Sequence, residues 1–148
     1  MNVALVPAGG TGSRFGSTKA KQFLELAGIP IIIRTLRHLA TCPELDRIIV
    51  AVPAVDLAAC QELLTEWKLE KPWLVVTGGK ERQDSVREAL MAAPAETEYA
   101  VVHDAVRPFI SAQLVTESLT AARAFRAVVV GHQVTDTVKQ VQDGLVVA

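Results

Sequence analysis

The stretch "PAGGTGSRFG", residues 7–16, follows directly on the apolar run Val3-Ala4-Leu5-Val6. It holds four glycines and one fixed cation, Arg14. Glycine lets backbone N–H groups come close to a ligand and permits positive φ, so loops of this composition cradle phosphates. A strand that runs into such a loop predicts an α/β unit, in which ligands lie beyond the carboxyl ends of the strands.

Outward from that loop, short apolar β-branched runs alternate with amphipathic stretches. Strands are expected at residues 3–6, 47–52, 74–77, 99–103 and 127–131. Their apolar residues fall on both parities, which requires a sheet covered on both faces and hence parallel strands with helical crossovers. Between them, Asp56 is placed to cap a helix whose Leu57, Cys60, Leu64 and Trp67 share a face, and Ser111 to cap one carrying Leu114, Val115, Leu119 and Ala122. Pro30 suits the first turn of a helix running towards Ala40. The expectation is an α/β fold with a doubly wound, mostly parallel sheet. After Gly131 the pattern changes. In "HQVTDTVKQVQDGLVVA", residues 132–148, Val134, Val138 and Val141 alternate with polar residues and Asp143-Gly144 is a hairpin signal. Residues 1–132 are therefore expected to form one α/β domain, and residues 133–148 to begin a two-stranded ribbon that projects from it.

The totals exclude whole classes of function. Half of the 148 residues are hydrophobic, too many for a disordered chain, and the net charge is −1 with no Lys/Arg run. Neither a nucleic acid nor a membrane surface is an expected partner. The start "MNVALVPAGG" lacks a basic n-region and a long apolar stretch, which predicts a cytoplasmic protein. Cys42 and Cys60 sit among apolar neighbours without CxxC spacing and are expected as buried thiols.

The glycine spacing is GxGxxxG, not the dinucleotide GxGxxG, and the second strand ends at Val52-Pro53 without an acidic residue. A nicotinamide dehydrogenase fits poorly, and the Walker A lysine spacing also fails. What remains is Arg14 with Lys19 and Lys21, either a solvated face or ligands for anionic oxygens. A second glycine-rich strand end, "TGGKERQDSVREAL", residues 77–90, runs into a helix. There Ser85 and Glu88 have capping-box spacing, which competes with a ligand role for Ser85. In "VVHDAVRPF", residues 101–109, a histidine, an aspartate and an arginine meet at a strand's carboxyl end. Asp104 and Arg107 there read either as an ion pair that pins the loop or as part of a site.

The ordered succession "PAGGTGSRFG", "KQFLELAGIPI", "VTGGKERQDSV", "VVHDAVRPF" and "VTDTVK" resembles the 2-C-methyl-D-erythritol 4-phosphate cytidylyltransferases, and less closely the ribitol-5-phosphate cytidylyltransferases. Two positions depart from that family's usual pattern: Ala20-Lys21-Gln22 stands for Pro-Lys-Gln, and Ala8-Gly9-Gly10 for Ala-Ala-Gly. The resemblance implies a Rossmann-like fold of the nucleotide-diphospho-sugar transferase type with a protruding β-arm. It also implies transfer of CMP from CTP to 2-C-methyl-D-erythritol 4-phosphate with release of pyrophosphate. The nucleophile is then a phosphate monoester oxygen, largely ionised near neutrality because its second pKa is about 6, so no general base is needed.

By the same resemblance, Gly10, Thr11 and Gly12 offer N–H groups to the β and γ phosphates, while Arg14 and Lys21 are catalytic, meeting the α-phosphate and leaving group. The cytosine edge is read near Ala8, Gly9 and Gly79, with Ser85. Asp104 holds Mg²⁺. Asp104 and Arg107 meet the sugar-alcohol phosphate, joined by Thr137 from the arm of a second subunit in a homodimer. His103 is expected to pack and orient. Chains of this family continue beyond the position of Ala148, so the expectation is a nucleotide pocket with weak turnover and self-association. The alternatives are a ribitol-5-phosphate-type enzyme and a non-catalytic CTP-binding fragment.

Overall fold

A computed structural model describes residues 1–9 and 20–147. Four parallel strands form the central sheet: β1 (Asn2–Pro7), β4 (Arg47–Val52), β5 (Trp73–Thr77) and β6 (Tyr99–Val102), in the order β5-β4-β1-β6. A two-stranded antiparallel ribbon, β2 (Glu25–Leu26) and β3 (Ile29–Pro30), leads into helix α1 (Ile31–Ala40). Helices α2 (Leu57–Glu66), α3 (Arg82–Met91) and α4 (Ala112–Phe125) follow β4, β5 and β6.

The two-sided burial follows the parity of the strands. Ala4, Val6, Ile48, Val50 and Val52 pack with Ile32, Ile33 and Leu36 of α1, Cys60 and Leu64 of α2, and Val115 and Leu119 of α4. Val3, Leu5, Ile49 and Ala51 face the other way, onto Ala89 and Val86 of α3. Successive residues of β1 and β4 thus enter different cores, as expected for a parallel sheet sandwiched between helices. The chain passes from β1 outward through β4 to β5, then returns to lay β6 on the opposite side of β1. Winding therefore reverses between β1 and β6, and the crevice beyond their carboxyl ends is where doubly wound sheets bind ligands.

The helix starts depart in part from expectation. Ser111 caps α4 as expected, accepting from the Leu114 N–H at 3.2 Å. Asp56 stands at the N-cap of α2 but makes no side-chain cap, because a 3₁₀ turn over Ala54–Asp56 already gives it helical dihedrals instead of the extended ones a cap requires. The capping box of α3 is made by Glu81 and Asp84, not Ser85 and Glu88; Ser85 lies inside the helix.

Residues 127–131 form no strand, which corrects the expectation of a fifth. Arg126 takes φ 69° as its N–H bonds to the Ala122 carbonyl at 2.7 Å, and the chain leaves α4 into an exposed course on which Val129 is 95% exposed. β-branched residues favour a strand only where a neighbour supplies hydrogen bonds and packing, and here none does. The hairpin signal is sound: β7 (Val141–Gln142) and β8 (Leu145–Val146) pair antiparallel around Asp143 and Gly144, both at positive φ. All of residues 127–147 are exposed.

Candidate nucleotide site at the carboxyl edge of the sheet

The sheet's hydrogen-bond ladder continues past the strands and sets out three motifs side by side. The Ala8 N–H donates to the Ala51 carbonyl (2.8 Å), the Gly78 N–H to Val52 (2.7 Å), the His103 N–H to Leu5 (3.0 Å) and the Ala105 N–H to Pro7 (3.3 Å). Two buried side chains fix the motif backbones from behind. Gln22, in a 3₁₀ turn over Lys21–Phe23, donates Nε2–H to the Ala8 carbonyl at 2.7 Å. Thr35 of α1 donates its hydroxyl to the Ala105 carbonyl at 2.8 Å.

A cavity of about 280 Å³ opens above this edge. Pro7, Ala8 and Gly9 line it after β1, Lys21 and Gln22 from the 3₁₀ turn, Gly79 to Arg82 with Ser85 from the start of α3, and Asp104 to Val106 after β6. Its walls approach closely at the glycines. A Cβ on Gly79 would fall 2.1 Å from the Asp84 Cβ, so no side chain fits there, and one on Gly78 would fall 2.7 Å from the Ser85 Oγ, which would have to move. Ser85 is buried and donates its hydroxyl to the Glu81 carbonyl at 3.2 Å. The bonding is that of a helix-interior serine facing the cavity, and the capping role that competed with a ligand role is absent.

Asp104 is held from two sides. Arg82, the first residue of α3, places Nε and Nη2 at 2.9 and 2.8 Å from its Oδ1, and Arg107 places Nε at 2.9 Å from its Oδ2. The ion pair with Arg107 and a place in the cavity wall, alternatives in the sequence, are both present. His103 brings Nε2 to 3.0 Å from the Arg107 carbonyl and stabilises the turn. Among the described residues no three His, Cys, Asp or Glu side chains gather into a metal-binding cluster. No helix among them is long and apolar enough to cross a membrane.

Of the residues expected at a site, Ala8, Gly9, Lys21, Gly79, Ser85 and Asp104 come together around one cavity, with Arg107 paired to Asp104 at its rim. Gly10, Thr11, Gly12, Arg14 and Lys19 lie outside the described residues. Thr137 is exposed on the irregular stretch before β7 and does not line the cavity. Sequence reasoning missed Gln22, Lys80 and Arg82. Arg82 leaves one trace in the sequence: a cation in the first turn of a helix opposes the macrodipole and needs a reason.

The IspD family model, 2-C-methyl-D-erythritol 4-phosphate cytidylyltransferase, matches residues 2–148. The chain belongs to this family. It is 43% identical over 145 residues to the 2-C-methyl-D-erythritol 4-phosphate cytidylyltransferase of Symbiobacterium thermophilum, covering 97% of this chain and 60% of that protein. The enzyme of the same name from Bacillus mycoides is 39% identical over 147 residues, covering 99% of this chain and 65% of its own length. The crystal structure of 4-diphosphocytidyl-2C-methyl-D-erythritol synthase from Anaerococcus prevotii superposes with a TM-score of 0.85 at 28% identity, over 99% of this chain and 63% of that one. The chain thus spans about 60–65% of the length of these curated relatives.

Proposed function

We propose that this chain carries the nucleotide-binding part of a cytidylyltransferase that transfers CMP from CTP to 2-C-methyl-D-erythritol 4-phosphate and releases pyrophosphate. The observation that supports it most is the meeting of Gly9, Gly79, Ser85, Lys21 and Asp104 around one cavity at the switch point between β1 and β6. Four of the five family motifs, separated along the chain, supply those residues.

In this reading the backbone at Ala8, Gly9 and Gly79, with the Ser85 hydroxyl, reads the cytosine edge. Gly10, Thr11 and Gly12 present N–H groups to the β and γ phosphates. Arg14 and Lys21 meet the α-phosphate, where charge builds as the phosphoryl oxygen bond to pyrophosphate breaks; preorganised cations there stabilise that charge more than they stabilise the ground state. The attacking group is an oxygen of the acceptor's phosphate, ionised near neutrality, so the cavity needs no base. Arg107 binds the acceptor, and Thr137 reaches it from the arm of a second subunit. We assign residues 1–132 to the nucleotide-binding domain and residues 133–148 to that arm, in a cytoplasmic homodimer.

Mg²⁺ is the metal this chemistry calls for, and Asp104 fits it. Mg²⁺ takes oxygen ligands from one or two carboxylates plus substrate phosphates, so a three-residue cluster is not required. Asp104 Oδ2, paired to one guanidinium nitrogen, keeps a further lone-pair position, whereas Oδ1 already faces two nitrogens of Arg82. When bound, the metal neutralises part of the triphosphate charge. A thermal-shift comparison of CTP, ATP and NAD, each with and without Mg²⁺, tests the reading together with a pyrophosphate-release assay. CTP stabilises most; equal stabilisation by ATP and CTP at matched concentration overturns it.

A further inference from the structure

Arg82 and Asp104 join segments that follow the two outer strands of the sheet, β5 and β6, with β4 and β1 between them. Both residues line the 280 Å³ cavity. Both also line a second, open groove of about 1580 Å³ bounded by α3, β6, α4 and residues 126–130. Their ion pair therefore stands where the two spaces meet. It is also the bond that leaves Asp104 with both carboxylate oxygens committed to arginine, Oδ1 to Arg82 and Oδ2 to Arg107. The arginine side chains are 61% and 72% exposed and the Asp104 side chain 23%, so the carboxylate is the fixed element and the guanidiniums are the movable ones.

We propose that Arg82, acting with Arg107, is a positioning residue that shields Asp104 from divalent cations in the ligand-free chain and thereby couples cation binding to the arrival of a phosphate. A cation approaching the paired carboxylate meets two positive charges and must share each oxygen with a donor. A phosphate group offers those guanidiniums a dianion with a geometry they bind through paired N–H donors. As Arg82 turns to the phosphate, Asp104 Oδ1 becomes available to the cation that the phosphate brings. Arg82 has N–H groups to spare for this, since two of its five donors contact Asp104. The placement of an arginine in the first turn of α3, against the helix dipole, is compensated by that contact and is otherwise unfavourable. This inference rests on the reading of Asp104 as a cation ligand.

Titration of the ligand-free chain with Mn²⁺ alone, followed by water-proton relaxation, tests it without any need for turnover. Arg82→Gln raises Mn²⁺ affinity about two- to fivefold, the scale of one partly exposed ion pair. Arg107→Gln, which frees the other oxygen, does the same, and adding Asp104→Asn to either variant abolishes the gain. Both arginines are exposed, so the folds are kept. Unchanged affinity in both arginine variants, or a gain that survives Asp104→Asn, overturns the proposal. The two readings fail differently. If Asp104→Asn weakens Mn²⁺ binding in the parent chain while the arginine variants change nothing, Asp104 is a cation ligand without a shield. If Asp104→Asn changes nothing in any background, Asp104 is not a cation ligand at all.

Discussion

Gln22 Nε2 donates to the Ala8 carbonyl oxygen at 2.7 Å, and both residues are buried. The bond ties the turn that carries Lys21 to the backbone that opens the glycine loop, so one side chain sets the spacing between two parts of the cavity wall. Replacing Gln22 by Met keeps the volume and removes the donor. The Ala8 carbonyl is then buried without this partner, at a cost of about 1–3 kcal/mol. Urea denaturation is expected to show that loss, and CTP affinity to fall with it. A variant as stable as the parent would show that another donor satisfies Ala8.

Much of this arrangement is legible in the sequence, and the limits have physical causes. The strands β1, β4 and β5 appear as apolar runs because a two-faced parallel sheet buries both parities, and β6 is equally apolar although its Ala100 and Val102 are exposed. A Cβ at Gly9 would make only ordinary contact with Ser85, whereas Gly79 is legible because the close approach of Asp84 excludes a side chain there. Gln22 and Arg82 are not, since hydrogen bonds across 14 and 22 residues leave no periodic pattern. The run at residues 127–131 misleads for the opposite reason: its composition is that of a strand, but pairing is a property of neighbours. Ser85 misleads locally, because its spacing to Glu88 satisfies a capping rule that Glu81 and Asp84 fulfil instead.

Gly79 is the tightest point of the wall. Gly79→Ala places a methyl 2.1 Å from the Asp84 Cβ, a contact that only backbone movement at the start of α3 can relieve. Overpacking of this kind costs about 1–3 kcal/mol. Because Asp84 is the N3 member of the Glu81 capping box, the strain falls on the helix terminus that presents Ser85. The expected outcome is a lower Tm together with loss of CTP binding in calorimetry. Gly28→Ala is the control for a generic glycine effect: that residue has positive φ, with open space around its Cβ position, and lies outside the cavity. It should lower Tm and leave CTP affinity unchanged.

Burial pushes the Cys60 thiol up to about 12 from an ordinary 9.0, and the negative charge of Asp56 adds to the shift. The folded state thus keeps the proton over a range in which the unfolded chain releases it. The resulting stability is fully present below pH 9 and is lost as the pH rises towards 12. Cys60→Val removes this contribution, so stability against pH between 9 and 12 should fall less steeply in the variant than in the parent. Thiol reagents should leave Cys60 unmodified at neutral pH until the chain unfolds. Rapid labelling in the native state would place Cys60 outside the core.

The last expectation concerns the surface that the fold leaves uncovered. β6 is an outer strand of the sheet, and the groove beside it is bounded by the exposed valines of residues 128–130. Phe109 is 90% exposed and Phe125 76%, and Leu145 and Val146 of the terminal ribbon lie open as well. A free strand edge flanked by apolar residues is a template for pairing, and a two-stranded ribbon is marginal in water without a covering surface. This 15.9 kDa chain is therefore expected to self-associate. Light scattering coupled to size exclusion should give a mass above the monomer that rises with concentration. Phe125→Lys with Val129→Lys should lower it while leaving CTP affinity unchanged, because neither residue lines the 280 Å³ cavity proposed to bind the nucleotide. A strictly monomeric parent would show that these apolar groups are tolerated singly in water.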